Sequence, residues 1–102
     1  DKVELIAIAQ VQVAAGVIDF RSNKGFDTAS RVNVGVYELQ LDHKHDDHKL
    51  VIEVTRKSTT PGQIQAEILG TDDVDRIQVT NFDSLGSPVD TSFFIVVWRV
   101  RS

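Results

Sequence analysis

Apolar and polar residues alternate along most of this chain with a period of two, the repeat of an extended strand whose side chains point to opposite faces in turn. Val3, Leu5, Ala7, Ala9, Val11 and Val13 line one face of a first strand over residues 3–13, against Glu4, Gln10 and Gln12; Ile6 and Ile8 interrupt its polar face. Ala15-Gly16 permits a bend or bulge, and Val17–Arg21 reads as a short strand with Ile18 and Phe20 inward. Ser22–Gly25 is turn sequence, because Asn and Gly tolerate positive φ, and residues 26–30 continue it as loop.

The longest strand is expected over 31–42. Val32, Val34 and Val36 share one face before Tyr37, Leu39 and Leu41 take over the other, a phase switch that predicts a bulge or a change of sheet near Gly35. The polar stretch 42–49 then reads as the long tip of a hairpin whose second arm is Leu50–Arg56, with Leu50, Ile52 and Val54 inward. Further alternating runs at 63–69 and 76–82 are separated by turns at 57–62, 70–75 and 83–88. No segment carries an apolar face at helical spacing. Seven or eight short strands between turns predict an all-β fold, an antiparallel β-sandwich or jelly-roll-like arrangement, with a closed barrel as the variant.

Ser92–Val100 breaks the alternation: Phe93, Ile95 and Val97 fall on one face, and Phe94, Val96, Trp98 and Val100 on the other. A small sandwich has one interior, so the second apolar face needs either another layer or a neighbouring chain. Phe94, Val96, Trp98 and Val100, with Ile6 and Ile8 of the first strand, are therefore the expected oligomer interface.

At 102 residues the chain is expected to form one domain spanning 1–102. An apolar fraction of 41% beside 25% charged residues is that of a folded globular domain, and a net charge of −4 argues against a nucleic-acid partner. No apolar run reaches the length of a membrane-spanning helix, so no membrane insertion is expected. There is neither cysteine nor methionine. Disulfides, thiolate metal sites and cysteine nucleophiles are thereby excluded, and a chain that starts at Asp1 without methionine reads as the C-terminal piece of a longer one.

Candidate chemistry is sparse. His43, His45 and His48, with Asp46 and Asp47, form the only dense group of metal-capable side chains, in residue types that suit zinc, nickel or copper. The competing reading is a solvated loop, and because nothing visible in sequence holds the imidazoles in place, no metal and no cofactor is assigned. Asp72, Asp73, Asp75 and Asp90 lack the spacing of a calcium loop. Trp98 and Tyr37 could stack on a sugar ring, although inside apolar strands both read first as structural. No nucleophile sits beside a base in any motif, and no glycine-rich phosphate loop opens a helix, so the chain is expected not to be an enzyme.

Ala9–Gly16, the stretch Arg31-Val32-Asn33-Val34-Gly35-Val36-Tyr37-Glu38-Leu39 and the closing Pro88-Val89-Asp90-Thr91-Ser92-Phe93-Phe94-Ile95-Val96-Val97 carry a resemblance. In its Gly-x-Tyr core and its Asp-x-Ser-Phe approach to a terminal apolar strand, the chain resembles the C-terminal β-sandwich head (receptor-binding tip) domains of trimeric phage tail fibres. More distantly it resembles C1q-like and tumour-necrosis-factor-like jelly rolls. The resemblance implies a viral protein of host attachment: a homotrimer at the virion tail or outside the cell that caps a fibre and presents loops to a cell-surface glycan or protein receptor. It transfers no site residues. The alternative is a carbohydrate-binding or accessory β-sandwich module of an extracellular enzyme.

Overall fold

Strands that alternate can bury only one face each, and two sheets packed face to face let all eight of them do so. The computed structural model, which describes residues 2–101, has this form. The strands are β1 (Lys2–Ala14), β2 (Val17–Lys24), β3 (Phe26–Asn33), β4 (Val36–Asp46), β5 (Leu50–Arg56), β6 (Gly62–Leu69), β7 (Asp73–Asp83) and β8 (Phe93–Arg101). The first sheet has the order β2-β1-β8-β5 and the second β3-β4-β7-β6, with every neighbouring pair antiparallel. The protein is thus an antiparallel β-sandwich of two four-stranded sheets, and among the described residues the only helical piece is a single 3₁₀ turn at Asp47–Lys49.

Ala7, Ala9 and Val11 of β1 and Phe93, Ile95 and Val97 of β8 form the inner wall of the first sheet. Tyr37, Leu39 and Leu41 of β4 and Ile77 and Val79 of β7 form that of the second. Tyr37 stacks on Phe93 across the interior, ring centroids 5.6 Å apart, a geometry that adds to the area both rings remove from water.

Several elements differ from the expectations drawn from sequence. Residues 26–33, read largely as loop, form β3, an edge strand that contributes little beyond Phe26 and Ala29 to the core. Its backbone ladder to β4 holds it as a strand although its side chains carry almost no pattern. The supposed single strand over 31–42 is two strands. The chain reverses at Val34-Gly35, where Gly35 has φ +69°, which leaves Val32 and Val34 exposed while Tyr37, Leu39 and Leu41 turn inward. β4 and β5 are not a hairpin: they belong to different sheets, and the turn at 47–49 carries the chain across between them. Finally, a register shift between Leu5 and Ala7 reverses the facing of β1. Val3 and Leu5, expected inside, lie outside at 64% and 41% exposure, and Ile6, expected at an interface, packs against the core.

The crossovers sort the connections to two ends. Turns at 15–16, 34–35, 57–61 and 84–92 gather at one end; Gly25, the 47–49 and 70–72 turns and the Lys2–Arg101 pair lie at the other.

Candidate functional site

Directly paired residues of antiparallel strands project from the same face, so the registers give the outer surface of the first sheet row by row. One row is Lys24 (β2), Ile8 (β1), Val96 (β8), Glu53 (β5); the next is Leu5, Trp98, Val51. Val3 and Val100 continue below, and Gln10, Phe94 and Thr55 form the row above. The result is an apolar stripe on β1 and β8, widened by Val51, on a face that would ordinarily be polar. Val3, Leu5, Ile8, Val51 and Phe94 are each between 39% and 64% exposed, which with the partly covered Val96, Trp98 and Val100 amounts to roughly 400–500 Å² of apolar surface, the size of the largest and often functional patch on a monomer. A shallow groove of about 300 Å³ runs through it, lined by Val3, Val51, Glu53, Trp98 and Val100. Lys57 sits over the Phe94 ring, its Nζ 6.0 Å from the centroid.

The outer face of the second sheet provides the contrast. Its rows read Ser30, Glu38, Gln78, Glu67 and Thr28, Gln40, Arg76, Leu69, and its groove is lined by Gln65, Ala66, Glu67, Gln78 and Thr80. One outer face is built for water and the other is not.

Of the expected interface residues, Phe94, Val96, Trp98, Val100 and Ile8 share this stripe, while Ile6 leaves it at the bulge. Sequence reasoning missed Val51, Val3 and Leu5. Val51 was signalled by an apolar residue in the outward phase of Leu50-Val51-Ile52; nothing local signalled the bulge that turns out the other two.

The histidines do not converge. His43 pairs with Asp42 at 3.2 Å and is largely in solvent. His45, opposite Val74 on β7, is half-buried; burial, then the nearby Arg99 and His43 charges, push its pKa below the ordinary imidazole value. Potential ligand atoms of Asp46, Asp47 and His48 lie within 4.8 Å of one another. Both carboxylates already serve the turn: Asp46 Oδ1 accepts from the His48 backbone N–H at 3.0 Å, and Asp47 Oδ1 accepts from that of Asp72 at 3.2 Å. The first bond closes the 47–49 crossover on itself and the second ties it to the 70–72 turn, which gives both acidic residues a structural role.

A third cluster lies at the opposite end and centres on Asp90, whose carboxylate accepts from Gly35 N–H at 2.8 Å and from Tyr37 O–H at 2.9 Å, and pairs with Arg31 at 3.0 Å. Tyr37 Oη in turn accepts from Thr91 N–H at 3.1 Å. The Arg31 hydrogen bond holds the Asp90 carboxyl below its usual range, helped by Gly35 and Tyr37, and burial, then Asp90, pushes the Tyr37 hydroxyl well above its ordinary pKa. Beside it, buried Asn81 accepts from Arg56 Nε at 3.3 Å. This network pins the long 84–92 crossover onto the β3–β4 turn. Asp90 therefore lies at the opposite end of the sandwich from Asp72, Asp73 and Asp75, and the four aspartates weighed for calcium do not form one site. Tyr37, weighed as a sugar platform, is fully buried. Arg31 and Tyr37 pair across the tight β3–β4 turn, but nothing local links them to Asp90, which only the fold brings to them. Compared with protein-family models, curated proteins and solved structures, the chain finds no match.

Proposed function

We propose that this domain is a non-catalytic head module that trimerises through the outer face of its first sheet and offers its far loops to a cell-surface receptor, protein or glycan. The observation that carries the reading is the apolar stripe of Leu5, Ile8, Phe94, Val96 and Trp98 on an outer sheet face. Leaving that much hydrocarbon in water is unfavourable by ~25 cal/mol per Å², and burying it between subunits recovers the cost. The placement of the ends agrees with a head. A shaft joined ahead of β1 would meet the domain beside the Lys2–Arg101 pair, and the loops at 15–16, 34–35, 57–61 and 84–92 would point away from it.

A second reading rests on the groove floored by Trp98 and edged by Glu53. An indole with a carboxylate beside it suits a sugar ring, stacked on its apolar face and hydrogen-bonded at a hydroxyl, as in an accessory module of an extracellular enzyme. The two readings differ in assembly state. Light scattering during size exclusion should give the mass of three protomers, and Trp98→Asp should give one protomer with an unchanged far-ultraviolet spectrum. A monomeric natural protein whose Trp98 fluorescence responds to glycans would overturn the head in favour of the accessory module.

A further inference from the structure

The outer row Lys24, Ile8, Val96, Glu53 is basic on one edge of the sheet, acidic on the other and apolar between. Lys24 and Glu53 are both exposed, and among the described residues neither takes part in an ion pair. From this row we infer how copies of the chain meet: in parallel and in register around an axis along the strands, Lys24 of each copy facing Glu53 of the next. The inference rests on the reading of the stripe as a self-association surface, and names the contact that sets its geometry.

Symmetry makes the argument. Rotation about an axis parallel to the strands keeps every residue at its own height and brings the β5 edge of one copy against the β2 edge of its neighbour. Lys24 and Glu53 share one row and therefore one height, so each such junction joins opposite charges. An axis across the strands would instead set Lys24 against Lys24 and Glu53 against Glu53, which costs free energy at both edges. The charge pattern is self-complementary for one family of axes only.

The size of the face suits three copies. Four strands at ~4.8 Å spacing make a face ~19 Å wide, and three such faces closed as a prism place the axis ~5.5 Å from each backbone plane, close to half of the ~10 Å separation of packed sheets. Side chains the length of Leu5, Val96 and Trp98 fill that distance. Four copies would put the axis ~10 Å from each face and leave the centre hollow. The stripe supplies roughly 400–500 Å² of apolar area, and a rim of Lys24, Gln10, Glu53, Thr55 and Lys57 brings the footprint of each subunit toward ~800 Å², shared between two neighbours, so that closing the ring buries about 2,400 Å² in all although each single junction is small.

Charge reversal tests the register. Sedimentation equilibrium at low salt is run on the natural protein, Lys24→Glu, Glu53→Lys and the double reversal, with near-ultraviolet circular dichroism confirming that each variant folds. Each single reversal places like charges at all three junctions and should weaken trimer association by at least about tenfold. The double reversal should restore it, and added salt should narrow the differences. A trimer unaffected by either single reversal, or one that the double reversal fails to rescue, overturns the register while leaving the apolar face as the interface. A dimeric natural protein overturns the three-fold closure, and a monomeric one overturns the self-association reading itself.

Discussion

Removing the Asp90 carboxylate should unlatch one end of the sandwich. Asp90→Ala deletes the acceptor for the Gly35 N–H and for the Tyr37 hydroxyl, bonds of 2.8 and 2.9 Å. Hydrogen bonds to a charged group contribute about 1.5–3 kcal/mol each. Gly35 is itself buried, so its N–H loses its acceptor away from bulk water, and the fully buried Tyr37 hydroxyl keeps only its contact from the Thr91 N–H. The Arg31 pair leaves 30% and 27% of its side chains in solvent, so it is given no share. The expected loss is therefore about 3 kcal/mol, or a melting point lower by more than ~10 °C for a domain of this size. Asp90→Asn keeps a neutral acceptor and should lose about half as much. The assay is urea unfolding followed by Trp98 fluorescence at one fixed protomer concentration, since assembly adds to apparent stability. The carboxyl's depressed pKa adds a signature. Its stabilisation is complete above the unfolded carboxylate pKa and disappears as pH falls through the folded value, so the natural protein should lose its advantage over Asp90→Asn in acid. A loss below ~1 kcal/mol for Asp90→Ala, or equal losses for the two variants at neutral pH, would refute the reasoning.

Gly35→Ala should cost about 2 kcal/mol or more, because φ is +69° and an added Cβ would lie 2.7 Å from Val89 N and 2.8 Å from Asn81 O; thermal melting checks this, and an unchanged melting point would mean the turn relaxes freely. His45 should make the fold less stable as pH drops through and below ~6.5, since the folded imidazole, depressed by burial and Arg99, protonates later than the unfolded one; His45→Gln should flatten that slope in denaturant titrations. Replacing His43, His45 and His48 together with alanine should leave the assembly mass unchanged, and elemental analysis of untagged natural protein should find no stoichiometric metal. Metal that vanishes in the variant along with the trimer would give the crossover at 47–49 the role assigned above to the apolar face.

Period-two alternation is written into adjacent residues, so strand content, the absence of long helices and the two-faced apolar character of Phe93–Val100 were all legible before any tertiary structure. β5, β6, β7 and β8 appeared nearly where they are because each pairs an apolar inner face with a turn at either end. The choice of partner was hidden. Whether β4 and β5 form a hairpin or cross between sheets depends on contacts far apart in sequence, and no local residue distinguishes the two. A bulge shifts facing by one residue, so the register change between Leu5 and Ala7 sent two apolar side chains outside and one inside against the simple count. The edge strand β3 carries too little core contact to show a pattern, and its ladder to β4 alone makes it a strand. The Asp90 latch and the outer row from Lys24 to Glu53 each line up residues from distant parts of the chain. They exist only once backbone hydrogen bonding has fixed every register, which is why alternation located most of the strands while the registers set which of their residues meet.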